Sequence, residues 1–184
     1  ERWQYVPDDK QGIVIQLIIK NLGEEREIRL KFSGKSDLRP TWLGERTNMI
    51  DGKDEATYDT EKQLWKIKDS LNDWYTIFGT ELQDDQNPQT TKNTTQNNTS
   101  SSSIEKSILL LSGKTHVVNY IITGSYTSER DALKTYTDIK NNIDTYFISK
   151  RERYKTLSEQ SKLTVKDKNI EAALMNNDRS NILV

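Results

Sequence analysis

The chain has 184 residues, 33% of them apolar and 30% charged, and its formal net charge is −1. This length suits one domain with an appendage, and such a domain buries about 70% of its unfolded surface without needing disulfides. The 27 basic and 28 acidic residues are interspersed, which argues against nucleic-acid binding because that requires a basic surface. The absence of cysteine excludes thiol nucleophiles and cysteine-based zinc sites.

The first predicted element is a β-hairpin over residues 12–32. Apolar residues recur at every second position in GIVIQLIIKN and alternate with charged residues in EREIRLKF, the pattern of strands with one solvated face. The intervening NLGE contains Asn and Gly, which tolerate the left-handed backbone of tight turns.

Further strands are predicted at EATYD, QLWKIKD, DWYTIFGT, IEKSILLLS and THVVNYIITG, which makes about seven before residue 124. The short GK sequence between the last two is expected to form a hairpin turn. Residues 83–103 contain no apolar side chain, so we expect a mobile polar loop there, inserted between two strands. Consecutive strands without crossover helices predict a mainly β fold, an antiparallel β-sandwich.

The pattern becomes helical after residue 127, with apolar residues at helical spacing over 128–157. Ser128 is the predicted N-cap and Asp131 the acid of a shortened capping box. If unbroken, this long C-terminal helix would extend roughly 45 Å, and a second short helix is predicted with Asp167 as its cap. We therefore expect a β-sandwich domain over residues 1–127 and a helical connector over residues 128–184.

No catalytic constellation emerges from the sequence. His116 is the only histidine and lies in an alternating strand, so we interpret it as a strand residue and not as part of a catalytic triad or metal site. Carboxylates are numerous, but glycoside hydrolysis needs a pair at a defined separation, which sequence cannot select. DGKDEATYDTE lacks the spacing of a calcium loop, and phosphate-binding and dinucleotide motifs are absent. We assign no catalytic residue, metal or cofactor.

Three of the four tryptophans lie within residues 41–79. Trp65 alternates with lysines on a strand, which predicts a core position. Trp74 and Tyr75 are adjacent and should point to opposite faces of the sheet, so one of them is expected to be exposed or in an interface. Trp42 follows a proline in the loop RPTWLGER, which also contains Arg46. Aromatic faces suit sugar stacking or domain docking, so the candidate substrate-binding residues are Trp42, Arg46, Trp74 and Tyr75.

Two segments carry a resemblance to a known family. WLGERTNMIDGKDEATYD, followed by DSLNDWYTIFG, resembles the N-terminal β-domain of six-hairpin glycosidases, which include glucoamylases, glycogen-debranching-type enzymes and processing α-glucosidases. The C-terminal RYKTLSEQSKLTVKDKNIEAALMNNDRSNILV resembles their connector. There a long helix leads to the start of the first barrel helix, here Thr164, Asp167, Ile170, Glu171 and Ala172. The resemblance covers most of residues 40–79 and 104–184.

The resemblance implies an antiparallel sandwich followed by an (α/α)6 barrel that carries the catalytic carboxylates. This chain would then be a non-catalytic N-terminal domain that braces the barrel of the same polypeptide and lends a loop to the rim of the sugar cleft, where an oligosaccharide binds. A free-standing carbohydrate- or protein-binding sandwich, or an unrelated β-domain with an oligomerising helix, are the alternatives. Neither nucleic acid nor a membrane is an expected partner. The start at Glu1 suggests a processed chain, and no targeting segment indicates the compartment.

Overall fold

The computed structural model describes residues 1–40, 48–82, 90–96, 98–160, 166–170 and 173. Within them, nine strands precede two helices: β1 Arg2–Tyr5, β2 Gly12–Lys20, β3 Arg26–Ser36, β4 Asp54–Asp59, β5 Leu64–Asp69, β6 Tyr75–Leu82, β7 Thr90–Gln96, β8 Thr99–Leu110, β9 Thr115–Ser125, α1 Glu129–Asn141 and α2 Ile143–Gln160. The strands form a six-stranded sheet, in the order β1-β2-β9-β6-β5-β4, and a three-stranded sheet, β3-β8-β7. All pairings are antiparallel, and the predicted fold class is confirmed.

The hydrophobic core lies between the two sheets. One cluster joins Trp65 and Phe78 of the six-stranded sheet to Ile104 of the three-stranded sheet. Trp65 is 5% exposed, and its indole Nε1 donates a hydrogen bond to the Ser103 carbonyl across the sandwich at 3.2 Å. The predicted core position of Trp65 is therefore confirmed, since its ring is buried and its indole N–H has a hydrogen-bond acceptor within the sandwich.

The two predicted hairpin turns are wrong in their pairing. β2 pairs with β9 and β3 pairs with β8, so NLGE and the GK turn each carry the chain from one sheet to the other. Asn21 connects the two crossings: it is 1% exposed, and its Nδ2 donates to the carbonyls of Glu24 and Leu110, each at 2.8 Å. Alternation marks a strand with one buried face, but it does not specify which neighbour pairs with it.

The prediction of a mobile loop over residues 83–103 is wrong where the structure describes that tract. β7 occupies Thr90–Gln96, and β8 begins at Thr99. Residues 83–89 and 97 lie outside the described residues. This tract is held by hydrogen bonds and not by apolar burial. The hydroxyls of Ser100 and Ser102 both donate to the Asn93 Oδ1, at 2.8 and 3.1 Å. Pairing with the adjacent β3 satisfies the backbone of these serines.

Helix α1 packs on the face of the six-stranded sheet that points away from the three-stranded sheet. Its N-cap is Ser128, as predicted, with the Asp131 amide donating to the Ser128 Oγ at 3.1 Å. Tyr136 and Ile139 are buried above two strand glycines. A Cβ on Gly79 would lie 2.3 Å from the Tyr136 hydroxyl, and one on Gly12 would lie 2.7 Å from the Ile139 Cδ1.

The chain divides into two compact units, residues 1–141 and 142–184. The first unit therefore includes α1 and ends at Asn141, whereas the sequence placed the end of the sandwich domain at residue 127. The predicted long helix is also interrupted, because α1 ends at Asn141 and α2 begins at Ile143. In the second unit, the Asp167 Oδ1 accepts a hydrogen bond from the Asn169 amide at 2.9 Å, as expected of a cap. The connector role of residues 128–184 stays a prediction.

Candidate functional site

The candidate site lies at the end of the six-stranded sheet where β4 and β6 begin and β5 and β9 end. Trp42 and Arg46, two of the four predicted substrate-binding residues, lie outside the described residues. The segments on both sides of 41–47 are described, and the second of them is bonded to the turn that precedes Trp74 and Tyr75. We call residues 36–38, 50–54, 69–75 and 98–100 the strand-end junction.

Asp69, the last residue of β5, is the centre of the strand-end junction. It is 0% exposed, and both of its carboxylate oxygens accept hydrogen bonds. Oδ1 accepts from the Leu71 amide at 2.9 Å, from the Asn72 amide at 2.7 Å and from the Asn72 Nδ2 at 2.7 Å. A short carboxylate at the end of a strand commonly binds the amides that follow it, which fixes the turn.

The same carboxylate reaches the segment that precedes β4. The Asp69 Oδ2 accepts a hydrogen bond from the Gly52 amide at 2.9 Å. A Cβ on Gly52 would lie 2.6 Å from the Asp69 Oδ1, so only glycine allows the backbone to approach this closely. Two stretches of the first segment that carries the family resemblance, WLGERTNMIDGKDEATYD and DSLNDWYTIFG, are therefore joined directly by the bond between Gly52 and Asp69.

Three further hydrogen bonds fasten residues 50–53 to the turn after β5. The Lys53 amide donates to the Ser70 Oγ at 2.8 Å, and the Ser70 amide donates to the Lys53 carbonyl at 2.9 Å. The Asn72 Nδ2 donates to the Ile50 carbonyl at 2.9 Å. Since these bonds involve successive residues on both sides, they fix the register of the two segments as well as their proximity.

Asp54 is the second buried carboxylate of the strand-end junction. It opens β4 opposite Asp69 and is 0% exposed. Its Oδ2 accepts a hydrogen bond from the Leu38 amide at 3.1 Å, while Oδ1 is buried without a partner among the described residues. Burial raises the pKa of Asp54, and the charge of Asp69 adds to that rise, whereas hydrogen bonds from Ser36 and Leu38 lower it.

The two carboxylates bind the described residues on the two sides of residues 41–47. Asp54 binds the amide of Leu38, which precedes residues 41–47, and Asp69 binds the amide of Gly52, which follows them. Adjacent strands therefore anchor both approaches to the segment that contains Trp42 and Arg46.

Trp74 and Tyr75 lie at the same end, but neither is fully exposed. Both are half-buried, where the sequence predicted one exposed or interfacial residue. The Trp74 carbonyl accepts a hydrogen bond from the Asp69 amide at 3.1 Å. The Tyr75 hydroxyl donates to the Asp73 Oδ1 at 3.2 Å, and the Lys68 Nζ lies 5.5 Å from the centroid of the Tyr75 ring. A cation at that distance weakly stabilises the ring position.

Several large apolar side chains are exposed close to the strand-end junction. Ile50 and Leu71, on the two segments that Asn72 joins, are 68% and 65% exposed. Tyr126, which follows the end of β9, is 69% exposed. Exposed apolar groups that collect at one place on a surface commonly mark an interaction site. This end of the sheet therefore suits binding better than catalysis.

The two buried carboxylates are not accessible to a sugar substrate. Asp54 and Asp69 are both sealed from solvent, and the oxygens of Asp69 already accept four N–H groups. Within the part of the chain that the structure describes, no group of three or more His, Cys, Asp or Glu side chains could hold a metal ion. His116 lies in β9 opposite Ile19, in the strand setting that the sequence predicted.

No family model matches the chain, and no curated protein matches it significantly. Among the described residues, no helix is both long enough and apolar enough to cross a membrane.

Proposed function

We propose that this chain is the N-terminal, non-catalytic β-sandwich region of a carbohydrate-active glycoside hydrolase. In this role it braces a catalytic (α/α)6 barrel and contributes residues 38–54 to the rim of the sugar cleft. The proposal rests on the resemblance of two sequence segments to that family, together with one structural observation that supports it. Two stretches of the first segment, which contain residues 50–53 and 69–72, meet at a single buried carboxylate, Asp69, and therefore form one structural unit.

The strand-end junction supplies the physical basis for a contribution to the rim. A loop that binds a sugar must hold its aromatic side chain in place before the ligand arrives, because ordering it afterwards costs affinity. Asp54 and Asp69 anchor Leu38 and Gly52, which are described residues on the two sides of residues 41–47. Trp42 and Arg46 then serve as stacking and hydrogen-bonding groups for an oligosaccharide.

The bracing role is supported by the exposed apolar groups near the strand-end junction. Ile50, Leu71 and Tyr126 offer apolar area that an adjoining domain can bury, and such burial contributes about 25 cal/mol per Å². The catalytic acid and base would come from the barrel. The purified 184-residue chain should therefore not hydrolyse maltooligosaccharides or glycogen, and robust hydrolysis would refute this part of the proposal.

A free-standing carbohydrate-binding sandwich is the second candidate, favoured by the two buried carboxylates that anchor Leu38 and Gly52 on the two sides of the segment that contains Trp42. A glycan array tests this candidate. Binding by the chain alone that is lost in Trp42→Ala supports the free-standing module, whereas an array without signal counts against it.

A further inference from the structure

A groove with a strongly basic lining runs between α1 and the turn that joins β4 to β5. Its volume is about 510 Å³. Four of its lining residues are cationic, Lys62, Arg130, Lys134 and Lys140, and one, Glu61, is acidic. The whole chain has a net charge of −1, so this concentration of positive charge is local and does not reflect the composition.

Three of these cations, Arg130, Lys134 and Lys140, form no ion pair with any residue that the structure describes. Hydrogen bonds from Ser128 and Thr127 lower the pKa of Asp131, and the charges of Lys134 and Arg130 contribute to that lowering. Lys62 is different, because it pairs with Asp59 at 3.2 Å. The groove therefore presents positive charge that remains available to an external anion.

The groove is elongated and the charges are spread along it. Arg130 and Asn141 both line it, and eleven helical residues correspond to about 16 Å at 1.5 Å per residue. An extended peptide covers that length with about five residues at roughly 3.3 Å each. Charges distributed over this distance match a series of carboxylates, whereas a single phosphate would need them to converge on one point.

The lining is also partly apolar. Leu133 lines the groove and is half-buried, and the buried Leu64 and Tyr136 lie at its base. An apolar base between cationic walls accommodates a peptide whose acidic side chains point outwards and whose apolar side chains point in. A free inorganic anion or a purely acidic polymer would leave this apolar surface uncovered.

We propose that this groove binds an acidic, partly apolar peptide segment of a partner protein. Carboxylates of that segment pair with Arg130, Lys134 and Lys140, and its apolar side chains contact Leu133. The proposal is independent of the glycosidase role, because it concerns a different surface and requires no sugar.

The test uses a fluorescein-labelled short peptide in which glutamates alternate with leucines, with binding followed by fluorescence anisotropy at low and at high salt. The groove variant is Arg130→Glu/Lys134→Glu. The matched control is Lys31→Glu/Lys35→Glu, which makes the same change in net charge at exposed positions of β3. Circular dichroism and the melting temperature verify that both variants fold.

We expect the groove variant to bind the peptide about tenfold or more weakly, and the control to bind within about twofold of the unmodified chain, because rim charges act locally at moderate salt. A peptide with serines in place of leucines should also bind more weakly. Equal losses in both variants, no binding of the leucine-containing peptide, or equally strong competition by inorganic phosphate would each overturn the proposal.

Discussion

The substitution Asp69→Asn tests the strand-end junction most sharply. An asparagine can keep its oxygen where Oδ1 lies and retain the bonds from Leu71 and Asn72. Its amide nitrogen then takes the place of Oδ2 and faces the Gly52 amide, so a buried acceptor at 2.9 Å is replaced by a second donor. Losing a hydrogen bond to a charged group costs about 1.5–3 kcal/mol, and the opposed donors place this case near the upper end, at about 3 kcal/mol.

That loss converts into a measurable melting shift. With an unfolding entropy of about 2.1 cal/mol/K per residue, the 141 residues of the first unit give about 0.3 kcal/mol/K. The expected decrease in Tm is therefore about 10 °C, measured by differential scanning calorimetry. Hydrogen exchange should also show the Gly52 amide losing protection, because it no longer has an acceptor.

The matched control is Asp51→Asn in the same segment. Asp51 is half-buried and accepts one exposed hydrogen bond, from the Asn98 Nδ2 at 2.9 Å, so we expect a change within about 0.5 kcal/mol. If Asp69→Asn shifts Tm no more than this control, Asp69 does not hold the two segments together and the reasoning is refuted.

Two further predictions concern the helix and the second carboxylate. Gly79→Ala should destabilise the first unit by about 1–3 kcal/mol in urea unfolding, because its Cβ would overlap the Tyr136 hydroxyl. Adding Tyr136→Phe should recover part of that loss, and Gly34→Ala, whose Cβ meets only ordinary contacts, should change little; an unrescued double variant would contradict this packing. Burial raises the pKa of Asp54, so the folded state keeps this proton to higher pH than the unfolded state does. Its contribution to stability is therefore largest below the ordinary carboxyl pKa of 3.8 and falls as the pH rises. The stability of Asp54→Asn relative to the unmodified chain should therefore rise as the pH increases from 3.8 through the raised pKa of folded Asp54. A pH-independent difference between the two proteins in urea titrations would contradict the raised pKa.

The strands that the sequence predicted correctly are those with alternating apolar residues, because alternation reports one buried face directly. Trp65 on β5 belongs to this group. Alternation does not report the partner strand, so β2 and β3 were predicted to pair with each other although they lie in different sheets. The side chain of Asn21, a residue that the pattern assigns to an ordinary turn, bonds to the carbonyls of Glu24 and Leu110 where the chain passes between the sheets.

The polar elements were harder to predict. β7 and the start of β8 are stabilised by bonds such as Ser100 to Asn93, by their pairing with each other and by the pairing of β8 with β3, which is distant in sequence. None of these leaves a periodic hydrophobic signal. Asp69 was visible only as one carboxylate among many. Its place at the end of an alternating strand, directly before Ser70, Leu71 and Asn72, is the local signal that marks a carboxylate binding the amides after it.

The most direct measurement for the proposed function is α-glucan hydrolysis by the polypeptide that the full open reading frame encodes, compared with hydrolysis by the 184-residue chain. We expect that reading frame to encode several hundred further residues with paired helices, and we expect hydrolysis by its full product and none by the 184-residue chain. Hydrolysis by the short chain, or a full reading frame without paired helices or glucan-hydrolysing activity, would contradict the proposal.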